Sequence, residues 1–326
     1  MQKKGNNLKE QSKIHRNLLF VAITAAALVS LVVPLSNVAQ VSGQSYENLV
    51  EQTNLQSATD IEDGSTAINF ARNLASFSDS SFNTLSQTND QSIDDVSDGS
   101  FAANVGINSA TFDPSNFNTV EQENEQEIED VSKGSLAANI GVNNAEFQTN
   151  SDSNTVEQEN EQEIEDVSKG SLAANIGVNN ADFDDSHDND VEQENEQEIE
   201  DVSKGSEAAN IGVNNAEFGE SEGNDVEQEN EQEIEDVSKG SEAANIGVNN
   251  AEFDASNDND VEQENEQEIE DVSKGSDASN VGVNDAEFEN SDNNDVDQSN
   301  EQEIEDVKKD SSASNDAENS VSFDDD

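Results

Sequence analysis

Five carboxylates at alternate positions, Glu121, Glu123, Glu125, Glu127 and Glu129, recur as Glu157, Glu159, Glu161, Glu163 and Glu165. On a β-strand, alternate residues share one face, so each set would project to the same side. A dense array of oxygen donors suits hard cations, Ca²⁺ or other divalent ions, held weakly and at many points. The plainer alternative is an acidic face that is simply solvated. Further acids fall between the sets, at Asp184, Asp185, Asp188 and Asp190, then at Asp258 and Asp260. None of these completes an EF-hand loop, because the central Gly and the closing Glu are missing. The Gly-rich nonapeptide of Ca²⁺-binding β-rolls is absent too.

Little else in the chain has the makings of a catalytic site. There is no Cys, so thiolate metal sites and disulfides are excluded. His187 stands in a polar stretch without a fixed partner, no Ser has an accompanying base, and no Gly-rich stretch opens a helix as phosphate loops require. The expectation is a protein that is not an enzyme and holds no organic cofactor. Composition agrees: 76 acidic residues against 13 basic give a net charge of −63, and aromatics make up only 4%. That is too little bulky apolar surface for a conventional enzyme core. The acid excess also argues against nucleic acid as a partner, and against anionic membrane beyond the N-terminal segment.

What must position the carboxylates is a repeat. The segment VEQENEQEIEDVSKGS and its variants begin at 120, 156, 191, 226, 261 and 296. Two disguised copies begin at 85 and 50, so eight tandem copies with a period of 35 cover 50–326. Gln52, Asn54 and Gln56 return as Gln87, Asn89 and Gln91, then as Gln122, Asn124 and Gln126, while the residues between them change freely. In the second half of the unit, Asn69, Asn73 and Phe77 return as Asn104, Asn108 and Phe112, then as Asn139, Asn143 and Phe147. Recurrence at every second position is the side-chain period of a strand. Local propensity favours a helix here, since Glu and Gln are good helix formers, but residues two apart share no helical face. Recurrence over eight contexts outweighs propensity.

Each unit therefore reads as a strand (50–60 in copy one), a turn with Gly64, a strand (65–77) and a short polar connection. The predicted fold is an all-β, tandem-repeat β-solenoid of strand–turn–strand units. Stacked at about 4.8 Å, equal residues form Gln and Asn ladders inside and acidic columns outside. Each stacked Glu pair costs about 0.9 kcal/mol in water, roughly halved by physiological salt. The columns thus favour bound cations or protonation. The alternative fold is a largely disordered acidic repeat chain, which would act as a polyelectrolyte for cation sequestration or hydration.

Two end features complete the reading. Lys3, Lys4, Lys9, Lys13 and Arg16 precede an apolar run from Leu18 to Val33, which Pro34 ends. This is the pattern of a secretory signal covering 1–43, with a linker at 44–49, and it places the mature chain outside the cell or at its surface; the alternative is an uncleaved anchor, for which sixteen residues is at the short edge. In the last copy, Lys308, Lys309 and Asp324–Asp326 depart from the repeat and read as a terminal cap.

The stretches Gly106-x-Asn108-x-Ala110 and Gly141-x-Asn143-x-Ala145 resemble the Gly-x-Asn-x-Ala heart of curlin repeats. The likeness covers only the second strand. The period here is longer, Asn stands where curlin has Gln, and Phe replaces the trailing Gln. The resemblance implies strand–turn–strand stacking with amide ladders, a secreted structural or matrix role, and self-association.

Overall fold

The computed structural model describes residues 35–42, 48–148, 152–185, 187–291, 293–308 and 310–324. Among these every regular element is a strand, and none is a helix. Copy three shows the plan: a short strand Thr119–Ile128, a corner, a long strand Leu136–Phe147, and a second corner. The short strands form one 8-stranded sheet and the long strands a second sheet, both parallel throughout. Register is residue on equivalent residue: Gln122 pairs with Gln158, and Asn139 with Asn175. The chain is an all-β parallel solenoid, one copy per turn.

Inward-facing amides join the two sheets. Gln122 Nε2 donates to Gln87 Oε1 at 2.8 Å and to the carbonyl of Asn144 across the core at 3.1 Å. Asn124 Nδ2 donates to Asn160 Oδ1 at 3.0 Å and across to Asn143 Oδ1 at 2.9 Å. Asn139 Nδ2 reaches the carbonyls of Gln126 and Glu163 and the Oδ1 of Asn175, at 2.9–3.1 Å. These amides thus bond along the stack and across it, which offsets the cost of burying a polar group.

Apolar clusters flank this polar centre. One holds Val120, Ala145 and Phe147 with their equivalents, the other Ile128, Val131 and Ala137 with theirs. The Phe rings stack nearly parallel, as between Phe112 and Phe147, whose centroids are 4.6 Å apart. Gly141 faces the centre, where an added Cβ would lie 3.1 Å from that of Asn124 and collide with the Asn160 amide. The small residue is what lets the sheets close on one another.

The corners differ in part from the sequence reading. Gly134 has φ 77°, as its turn role requires, but Lys133 before it also has positive φ, at 58°. The first strand ends at Ala58 rather than at residue 60. Asp60, Asp95 and Asp130 are corner residues with φ of 54–58°, a conformation that Asp tolerates better than most residues. Described residues of the polar connection also contribute to the interior. Asn118 is buried and donates to Asn154 Oδ1 at 2.8 Å, adding an amide ladder the sequence reading did not identify.

The solenoid also begins earlier than expected. Leu35–Ser42 forms a strand that pairs in parallel with the first long strand, with Asn37 opposite Asn73 and Ala39 opposite Ala75. These residues lie within the expected leader, and a cut after Gly43 would remove them and uncover the edge of Thr66–Ser78. Residues 1–34 and 43–47, with the rest of the leader and part of the linker, lie outside the described residues. So do Lys309, Asp325 and Asp326 of the expected cap. Lys308, by contrast, is described, and it contacts Asp306 at 2.8 Å on the surface.

Replacing Asn139, Asn175, Asn210 and Asn245 together with Asp would turn a buried ladder into a column of unpaired charges, at several kcal/mol each. Far-UV circular dichroism at pH 7 should then lose the β signature. Retention of the wild-type spectrum would contradict the ladder as the element holding the sheets together.

Candidate functional site

Because amides occupy the inward positions of the short strands, their partners in the alternation must face out. Glu121, Glu125, Glu157 and Glu161 are exposed, while Glu123, Glu127, Glu129, Glu159, Glu163 and Glu165 are half-buried. Register places Glu157 on Glu192 and Glu163 on Glu198, so the expected acidic columns are present. They continue through Glu227 and Glu233 to Glu262 and Glu268.

At one end of this face the carboxylates crowd. Oxygens of Glu163, Glu198 and Glu200 lie within 4.8 Å of one another, as do those of Glu198, Glu233 and Glu235. Glu200 and Glu235 lie one residue past the strand ends, where their backbone still bonds to the preceding copy and they keep the outward parity of Glu198 and Glu233. Groups this close can share protons or be bridged by a cation. Glu198 and Glu233 are the equivalents of Glu163 in the repeat, and Glu200 and Glu235 those of Glu165, so the alternate-Glu pattern includes every member of these clusters. The same VEQENEQEIED segment in copies five and six, read at its strand end, carries the signal.

The electrostatics follow from the packing. Glu163 is pushed from 4.5 to about 7, first by partial burial and then by Glu165 and Glu127. Glu198 rises to about 7 through partial burial, then Glu163 and Glu233. Glu194 and Glu233 rise to about 7 in the same way. Glu125, Glu127, Glu159 and Glu161 are also raised, with partial burial again the leading cause.

The opposite side of the solenoid has a different chemistry. Outward positions of the long strand in copy three are Leu136, Ala138, Ile140, Val142, Asn144 and Glu146. Phe70, Ala103 and Val105 are buried together on this side, against half-buried Ile68, Phe101, Ile107 and Ile140. Beyond them an outward Asn ladder runs from Asn144 to Asn180 and Asn215, with 2.9 Å bonds. These outward positions are the parity that the recurring Asn and Phe of the long strand leave free. Their type is clear when they are taken as columns, since branched aliphatics hold the middle of the stack and acids appear in the last copy.

Raised carboxylate values reverse the usual response to acid. The folded value lies above the unfolded one, so protonation favours the folded rod. That stabilisation is complete below about 4.5 and is lost as pH rises through about 7. The thermal midpoint should therefore climb as pH falls from 8 to 5. In E163Q/E198Q/E233Q the midpoint at pH 7.5 should be higher and the slope with pH shallower. A midpoint that falls on acidification within this window would contradict the assignment.

Comparisons with protein-family models, with curated proteins and with solved structures find no match for this chain.

Proposed function

We propose that this protein is a secreted, non-catalytic structural rod of the cell surface or extracellular matrix, whose acidic face is neutralised by divalent cations such as Ca²⁺. The observation that carries the reading is the in-register stacking of carboxylates on a scaffold whose interior polar groups bond to one another. Such a surface repels itself at neutral pH, so binding of cations to the folded form stabilises it by linkage. Affinity at each point is weak because the carboxylates stand on an open face among the described residues, and the effect comes from the number of points. The basic and apolar N-terminal segment supports export.

The test is the thermal midpoint of the rod at pH 7.5 with Ca²⁺ from zero to 10 mM, against NaCl of equal ionic strength. Ca²⁺ should raise the midpoint by several degrees more than Na⁺, and E163Q/E198Q/E233Q should reduce the difference. Equal effects of the two salts would leave only screening and remove the cation from the proposal. Export is tested by recovering the chain from medium or cell surface with its N-terminus read. A chain found only inside the cell with Met1 intact would overturn that part.

A further inference from the structure

We propose that two copies of this chain pack face to face through the apolar outer side of the long-strand sheet, about a two-fold axis running along the strands. The columns of Ile140 and Val142 make this surface, half-buried in the single chain, with the buried Ala138 column beside them. It extends from the strand Thr66–Ser78 to the strand Asp277–Glu289. Three columns by seven rungs cover roughly 20 by 30 Å. That is about 600 Å² a side and about 1,200 Å² in all, at the lower end of what a stable specific interface buries. A surface of this size is at the upper end of the apolar patches that monomers leave open, about 300–600 Å², and such patches are often functional.

Charge says which second object fits. The stripe lies on the long-strand sheet, opposite the acidic columns of the short strands, so pairing the stripes sends both sets of those columns outward. With sheets about 10 Å apart, the two acidic faces lie some 30 Å from each other. This is more than three Debye lengths at physiological salt, so their mutual repulsion is screened. The outward Asn144 ladder forms a polar rim. The Glu146 column lies one position further out, where it reaches water.

The ends of the stripe fix its direction. Arg72, the only Arg after Arg16, is exposed in the Val142 column of the first long strand. Glu318 occupies that column in the last long strand, beside Asp316 in the next column. A two-fold axis along the strands keeps each column facing itself and reverses the order of rungs. Arg72 of each copy then meets Glu318 of the other. An axis along the rod would instead bring Asp316 and Glu318 against their own counterparts.

The experiment is sedimentation equilibrium on the full chain at pH 7.5 and 150 mM NaCl, with circular dichroism on every variant. The unaltered chain should show twice the mass of one chain. I176E/I211E, at the centre of the stripe, should keep the β spectrum and show the single mass. R72E should weaken the dimer about tenfold, and R72E/E318R should recover it. A single mass for the unaltered chain, or a series of larger species, would overturn the proposal. So would a dimer indifferent to I176E/I211E. If R72E/E318R recovers nothing, the stated two-fold is wrong.

Discussion

A parallel stack with a rise of about 4.8 Å places every side chain directly above its own kind. Each column must therefore tolerate contact with itself, and this rule sorts the residues of the whole structure. Amides satisfy it best, because each carries a donor and an acceptor that meet those of the next rung. Phe satisfies it by stacking, and aliphatics by dispersion. Carboxylates violate it. They appear only where water reaches them, and even there their neighbours drive protons back onto them.

The interior shows how far self-contact can replace a hydrophobic core. Its centre is polar, and apolar residues are confined to the two edges. The Gln ladder donates toward the preceding copy, Gln122 to Gln87, whereas the Asn ladder donates toward the following one, Asn124 to Asn160. The two sets of side-chain dipoles thus oppose one another along the rod. They cancel only in part, because two Gln ladders run one way through each copy and three Asn ladders the other.

Recurrence at alternate positions made the fold legible, because inward columns such as Gln122 and Asn139 keep their identity in copies where everything else changes. The acidic face followed by exclusion, as the other parity of the same strand. The corners were less readable. Asp130 recurs as faithfully as the ladder residues, so it looked like part of the strand, but it recurs for its tolerance of positive φ. Val131 and Asn118 were hidden for a related reason: each lies in a corner where no alternation marks the inward direction. The crowding of Glu163, Glu198 and Glu200 depends on how closely their side chains approach at the strand end, a distance that sequence spacing alone does not contain.

The backbone bonds between copies, such as Ser132 to Val96 and Leu136 to Ser100, run along the axis of the rod. Tension applied between the first and last copies would therefore load them one rung at a time rather than all together. An end copy would peel away while the rest held, releasing a loop of about 35 residues, roughly 110 Å of slack. The same copy, left beside its neighbour when the load falls, has its template intact for re-pairing. A stiff rod built this way is also an extensible one, yielding in equal steps before it breaks.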